Sequence, residues 1–187
     1  MTSTDMINDS QKNRLKDKLL DILSTLHKRN FKKAFIIINS IPEKCRLDQK
    51  SYDHGIQKKA NKKKLHPTRP VRGEIYNALI SEDNVGTELN GNHLCVIISN
   101  KKKNLYSEKV NVVPIEGDGK NIDPRNNIQL TNADLENGKL DKDPSKIIGA
   151  DIMTLDKARL DRKIGKLKDE KLNEVMEMVK AQLGITN

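Results

Sequence analysis

The chain has 187 residues, of which 35% are hydrophobic and 33% charged, and its formal net charge is +9. That composition is typical of a soluble protein; no apolar run approaches the ~18 residues of a membrane-spanning helix, and the first 30 residues lack the apolar core of a signal peptide. Two cysteines, Cys45 and Cys95, provide neither a disulfide framework nor a metal-binding pair. We therefore expect a cytoplasmic protein that does not contact membranes.

The positive charge is concentrated at the amino terminus. Residues 1–65 contain 16 Lys and Arg against 7 Asp and Glu, whereas residues 66–187 contain 19 of each kind. A basic block of this kind is either a solvated surface or an attractor of polyanions, most simply RNA, which it would bind through phosphate contacts. The sequence leaves both interpretations open.

A first helix is predicted from Ser10, the expected N-cap, to about Lys28, because leucine and isoleucine recur at helical spacing between charged residues. The apolar run of residues 31–41 is compatible with a helix or a strand. We favour the helix because Phe31, Phe35 and Ile38 share one helical face.

Pro42 is expected to end this second segment, since proline removes a helical hydrogen bond. Residues 43–66 are poor in apolar side chains and rich in lysine, which indicates a partly helical or flexible linker. The predicted organisation is therefore a basic helical extension with its linker over residues 1–65 and a second domain over residues 66–187.

The second domain is predicted to be mostly β. Short apolar segments bounded by Gly, Asn, Asp or Pro predict strands near residues 73–80, 94–99, 110–115, 127–130 and 146–153. Strands at this spacing without intervening helices favour a small barrel over a βαβ sheet. A short helix from Thr154 to Arg159 and a terminal helix over residues 168–183 follow, with Gly184 at the C′ position.

Four phrases of this domain occur in an order typical of a known family. They are Arg72-Gly73-Glu74-Ile75-Tyr76, the loop of residues 86–93 that enters the apolar run of residues 94–100, Val112-Val113-Pro114-Ile115-Glu116, and the segment of residues 152–160. Together they resemble the MazF/PemK toxin ribonucleases of bacterial toxin–antitoxin pairs, over roughly residues 70–185. The resemblance implies an SH3-like barrel with a carboxy-terminal helix, a homodimer whose interface forms an RNA groove, and a cognate antitoxin.

The resemblance also implies a site. Family members cleave single-stranded RNA without metal by attack of the 2′-hydroxyl, and their catalytic Arg and Thr align with His93 and Glu116 of this chain. Histidine as a residue type gives and takes protons near neutral pH, so His93 and Glu116 are interpreted as a catalytic acid and base. A structural histidine and a solvent-facing glutamate remain the alternative.

Six further residues are candidate RNA contacts. Thr87, Glu88 and Asn90 lie in the glycine-bounded loop before the apolar strand, where side chains can approach a phosphate. Lys101, Lys102 and Lys103 follow that strand and supply positive charge, although a solvated turn explains them equally well. No metal-ligand spacing and no cofactor motif occurs, so we expect neither a metal nor a cofactor.

Two functions follow from the sequence. The first is a toxin that acts as a metal-independent endoribonuclease on single-stranded RNA, with RNA and an antitoxin as partners. The alternative is a catalytically inactive barrel of the same fold that binds RNA or a protein.

Overall fold

The computed structural model describes residues 6–185. The helices are α1 (Asp9–Thr25), α2 (Phe31–Ala60), α3 (Lys101–Tyr106) and α4 (Asp169–Gln182), with 3₁₀ turns at Lys28–Asn30, Asn132–Asp134 and Lys157–Arg159. The strands are β1 (Glu74–Ile80), β2 (Gly91–Ile97), β3 (Lys109–Glu116), β4 (Asn127–Leu130), β5 (Leu135–Gly138), β6 (Ser145–Ile148), β7 (Met153–Asp156) and β8 (Leu160–Leu167). None of the described helices has the length and apolar character needed to cross a bilayer.

The chain divides into two compact units between Ser40 and Ile41. The first contains α1 and the beginning of α2. The predicted first helix is confirmed, but its N-cap is Asn8 and not Ser10. Asn8 Oδ1 accepts a hydrogen bond from the Gln11 backbone N–H at 2.9 Å, and Gln11 Oε1 accepts one from the Asn8 N–H at 2.9 Å. This reciprocal pair satisfies two backbone donors, which a cap at Ser10 would have left open.

The prediction that Pro42 ends the second helix is wrong. Helix α2 continues through Pro42 to Ala60. Pro42 is exposed and lies in the interior of the helix, where it lacks the N–H that would donate to the carbonyl four residues earlier. Leu47 and His54 are buried in the second unit. The Lys50 ammonium donates to the carbonyls of Ala158 and Leu160 at 2.9 and 3.2 Å.

The predicted fold class is confirmed by a curled antiparallel sheet followed by a terminal helix. Seven strands pair in the order β4-β6-β3-β2-β1-β8-β5. Strand β6 pairs with the end of β3, at residues 115 and 116, and β7 pairs with its beginning, at residues 109–112. The predicted strand of residues 146–153 is two strands, β6 and β7, and the helix predicted from Thr154 is the end of β7 followed by a 3₁₀ turn. Strand β5 escaped prediction because three of its four residues are exposed, and β8 because exposed charged residues at positions 161–163 interrupt its apolar pattern.

Apolar side chains line both faces of the central strands. Ile75, Val96 and Val113 pack in one cluster that α4 covers with Val175 and Val179. The opposite face carries a second cluster formed by Ala78, Ile80, Cys95, Ile97, Val110, Val112, Leu155 and Leu160. Alternate residues of β2 thus contribute to different clusters, which explains the uninterrupted apolar run in its sequence.

Four ionisable side chains lie where the carboxy-terminal half of α2 contacts the sheet unit. The rings of His54 and His66 meet edge to face, with centroids 4.9 Å apart. The Thr68 backbone N–H donates to Nδ1 of His66 at 3.0 Å, which leaves Nε2 facing the Glu108 carboxylate at 3.2 Å. The Lys157 ammonium is fully buried and donates to the Asn104 carbonyl at 2.7 Å.

Burial dominates the ionisation of this cluster. It lowers the pKa of His54, with the Lys50 charge acting in the same direction. It also lowers the pKa of His66, where the Lys157 charge adds to the effect. Burial lowers the pKa of Lys157 to about 8. In each case folding shifts the protonation equilibrium towards the neutral form relative to the unfolded chain, because a desolvated charge is costly.

Truncation distinguishes the predicted boundary at residue 65 from the observed one. A chain that begins at Ile41 keeps the contacts of Leu47, Lys50 and His54 and is expected to unfold at the same urea concentration as the full chain. A chain that begins at residue 66 exposes their partners, and we expect it to lose roughly 2–5 kcal/mol of stability, as for removal of large buried side chains. Equal midpoints for both truncations would contradict the docking role of α2.

The buried histidines predict a pH dependence of stability. Since their pKa values are lowered by folding, the unfolded chain takes up more protons than the folded chain as the pH falls below about 6.5. The free energy of unfolding in urea should therefore be smaller at pH 5 than at pH 7.5. This difference in the free energy of unfolding between the two pH values should be smaller in His54→Gln and in His66→Asn. The amide oxygen of the asparagine in the second variant can accept the Thr68 N–H. An unchanged difference in both variants would rule out the histidines as its source.

Candidate active site

A cleft of about 560 Å³ opens at the end of the sheet where β2 begins and β3 ends. Its walls come from the start of β2, the middle of β1, the end of β3 and the loop that leads into β6. His93 and Glu116 both line it. The two residues predicted as acid and base, which are 23 positions apart in the sequence, therefore face the same cleft.

Strand register explains this proximity. Strands β2 and β3 pair antiparallel, and their ladder ends at Leu94 and Ile115; extending this register by one residue brings His93 opposite Glu116. Opposed residues of an antiparallel pair point to the same face, with Cα atoms about 4.5–5.5 Å apart. On the other side of β2, His93 pairs with Ala78 of β1. The histidine thus sits on a strand that is bonded along both edges.

The His93 ring is oriented by the loop that precedes it. Nε2 lies 2.8 Å from the backbone carbonyl of Asn90. A carbonyl oxygen only accepts hydrogen bonds, so Nε2 carries a proton and donates it there. The second nitrogen, Nδ1, is consequently the one that can exchange a proton with a ligand. His93 is only half-buried, which leaves it accessible from the cleft.

Glu116 has a cationic partner that sequence reasoning did not find. The Lys146 ammonium lies 3.1 Å from the Glu116 carboxylate, and the two residues are register partners across β3 and β6. The Lys146 side chain is 14% exposed and that of Glu116 is 41% exposed. No motif marks Lys146, because its position depends on the β3–β6 register.

The remaining charges of the cleft are mixed. Asp118 and Asp141 contribute carboxylates, and Lys142 contributes an ammonium group. Asn77 and Asn92 add neutral amides that can donate hydrogen bonds to phosphate oxygens. Within residues 6–185, no group of three or more His, Cys, Asp or Glu is placed to hold a metal ion.

Comparison with known proteins identifies the family. Residues 71–183 match the family described as PemK-like, MazF-like toxin of type II toxin–antitoxin system. The chain belongs to this toxin family. The family match begins beyond the last residue of α2, so the docked helix lies outside it.

Individual relatives carry the same family name. The chain is 36% identical over 114 residues to an Endoribonuclease MazF of Staphylococcus saprophyticus, covering 61% of this chain and 91% of the relative. Two solved structures are similar at lower identity. One is an endoribonuclease in complex with its cognate antitoxin from Mycobacterial species, at 19% identity, 64% and 97% coverage and a TM-score of 0.47. The other is MazF (Form-I) from Deinococcus radiodurans, at 17% identity, 62% and 96% coverage and a TM-score of 0.48.

The loop candidates of this PemK-like, MazF-like chain do not line the cleft. The Glu88 carboxylate accepts the Val85 backbone N–H at 2.8 Å and so closes its own loop. The Asn90 side chain donates to the Glu88 carbonyl at 3.4 Å, while its backbone carbonyl holds His93. Thr87 is exposed at the loop surface. In the observed conformation Glu88 and Asn90 shape the entrance to β2, and their predicted contacts to RNA remain predictions.

The three consecutive lysines occupy a different place from the cleft. Lys101, Lys102 and Lys103 form the first turn of α3. Lys101 and Lys102 are exposed, and the Lys103 ammonium donates to Asn111. This helix follows the far end of β2, so about 13 Å of strand separates it from His93 at ~3.3 Å per residue. These lysines would contact RNA at a distance from the reacting phosphate.

Proposed function

We propose that this chain is the toxin of a toxin–antitoxin pair and cleaves single-stranded RNA with His93 and Glu116 as its acid and base. The observation that carries the proposal is that both residues line one cleft, next to the end of the β2–β3 ladder. Family membership supports the activity, and the name of the Staphylococcus saprophyticus relative agrees with it.

The arrangement supports a two-proton mechanism. The Glu116 carboxylate removes the proton of the 2′-hydroxyl, and the freed oxygen attacks the neighbouring phosphorus. The bond to the 5′-oxygen breaks, and protonated His93 gives the Nδ1 proton to that leaving oxygen, so a 2′,3′-cyclic phosphate and a 5′-hydroxyl result. Lys142 and Lys146 place positive charge near the phosphate as negative charge accumulates on its oxygens.

The partners follow from the same proposal. RNA is the substrate, and the toxin binds a cognate antitoxin. The solved Mycobacterial endoribonuclease is likewise in complex with its own cognate antitoxin. We further propose a homodimer in the cytoplasm, with an RNA groove that continues from the cleft across the dimer interface. The molar mass in solution, measured by light scattering, distinguishes this dimer from a monomer.

The acidic lining favours one alternative. Asp118 and Asp141 stand in the cleft together with Glu116, and three carboxylates repel a phosphate unless cations or protons offset them. A catalytically inactive barrel that binds RNA or a protein elsewhere on its surface would tolerate such a lining. Induced expression without an antitoxin separates the two functions, since only the ribonuclease arrests growth and generates new RNA 5′ ends.

The acid and base assignments predict opposite limbs of the pH profile. His93→Gln keeps a donor for the Asn90 carbonyl but removes Nδ1, so cleavage should slow about 10²- to 10⁴-fold and lose its fall at high pH. Glu116→Gln should slow cleavage by a similar factor and lose the fall at low pH. Initial rates on a labelled RNA measure both effects, and Glu82→Gln, an exposed carboxylate outside the cleft, serves as control.

His93→Arg restores the residue of the family's catalytic site and completes the comparison. This variant should bind RNA at least as tightly as the parent without recovering the limb at high pH, because arginine does not release its proton. If His93→Gln cleaves RNA as fast as the parent, the acid assignment fails. If the parent neither cleaves RNA nor arrests growth, the inactive barrel replaces the enzyme.

Lys146 generates a separate prediction. Lys146→Met removes the cation that pairs with Glu116 at one side of the cleft, so the rate of RNA cleavage should fall. Half-exposed pairs contribute ~0.2–1 kcal/mol, which corresponds to a roughly 1.5- to 5-fold loss. Lys146→Arg should retain the rate, and Lys139→Met, which removes an exposed lysine outside the cleft, should have no effect. An unchanged rate in Lys146→Met would show that this cation does not contribute to cleavage.

A further inference from the structure

The first compact unit carries an apolar surface that its own two helices do not cover. Helix α1 has no buried residue. Five of its side chains are 40–62% exposed: Leu15, Leu19, Leu20, Ile22 and Leu23. At the start of α2, Phe31 and Phe35 are 72% and 57% exposed, and their rings stack with centroids 6.3 Å apart.

Part of this surface is a groove between the two helices. A cavity of about 220 Å³ is lined by apolar side chains from the end of α1 and the start of α2, among them Leu23, Leu26, Phe31 and Phe35. His27 and Lys28 stand at the turn between the helices and also line it. A concave apolar strip of this form fits the ridge of side chains on a third helix.

The charge around the groove restricts its occupant. Residues 6–40 contain eight Lys and Arg against three Asp, a surplus of five positive charges. A second copy of the hairpin would bring two equal surpluses together and be repelled. RNA would satisfy the lysines but leave the aromatic groove in contact with water. An acidic helix with an apolar face satisfies both features.

We propose that residues 6–40 form a docking surface for an acidic amphipathic helix of another protein. The apolar face of that helix fills the groove beside Phe31 and Phe35, and its carboxylates lie against basic residues that include Lys28 and Lys32. Docking would also stabilise α1, since an isolated helix of its length is marginal in water. This surface is separate from the cleft of His93, and the proposal does not depend on RNA cleavage.

The test uses the full-length protein and a labelled probe peptide of about 20 residues, with leucine at heptad a and d positions and glutamate elsewhere. Fluorescence anisotropy should show saturable binding. The double variant Phe31→Ser/Phe35→Ser should weaken it roughly 10-fold or more, as expected when aromatic anchors are removed. Tyr52→Ser is the matched control, because Tyr52 is an exposed aromatic residue on the part of α2 outside residues 6–40. Circular dichroism of each variant tests whether the helices persist.

A charge exchange keeps the result interpretable if the phenylalanine variant loses helix. Lys28→Glu/Lys32→Glu should weaken binding of the glutamate probe and strengthen binding of a probe with lysine in place of glutamate. Absence of saturable binding by the full-length protein overturns the proposal. The same holds if the parent and the Lys28→Glu/Lys32→Glu variant bind the glutamate probe and the lysine probe equally well. Tighter binding to vesicles of phosphatidylglycerol than to the peptide, or a phenylalanine-dependent dimer, overturns it in favour of a lipid surface or of self-association. RNA cleavage by the same variants is measured in parallel and should be unchanged.

Discussion

The site depends on the register of β2 between its two neighbours. Val96 packs in one apolar cluster and Cys95 and Ile97 in the other, so each face of this strand is committed to a core. A slip of one residue would exchange the two faces and is excluded by packing. The same register, extended by one residue beyond Leu94 and Ile115, brings His93 and Glu116 to one cleft. The geometry of the proposed site is therefore a consequence of how the sheet buries its apolar side chains.

Elements whose residue pattern is contained in one short stretch of sequence could be predicted from that stretch. The apolar run of residues 94–99 and the helical spacing near α4 predicted their elements, and the order of the four phrases predicted the family. Strand β8 was not predictable in this way, because its three consecutive exposed residues, Asp161, Arg162 and Lys163, interrupt the apolar pattern. It becomes a strand through pairing with β1 and β5, and that information lies elsewhere in the chain. Helix α2 likewise passes Pro42 because residues 41–60 pack on the sheet unit.

The same contrast between local sequence pattern and long-range pairing applies to the candidate site. His93 and Glu116 were candidates because of the family resemblance, and both line the cleft. Lys146 and Lys142 were not found, since one reaches the site through strand pairing and the other through the loop before β6. Glu88 and Asn90 were identified as loop residues that could hold a ligand. Their observed hydrogen bonds organise the loop, and the contribution of Asn90 to the site is its backbone carbonyl, to which side-chain identity gives no direct clue.

The distribution of charge determines which kind of catalysis the cleft can support. Replacing the family's arginine with His93 removes a permanent charge, and one of the two nearby lysines is already paired with Glu116. Asp118 and Asp141 further lower the positive potential in the cleft. Stabilisation of the phosphate by fixed charge is thus weak here. Under the proposed mechanism, rate enhancement therefore comes mainly from acid–base chemistry, and affinity for RNA comes mainly from basic surfaces outside the cleft.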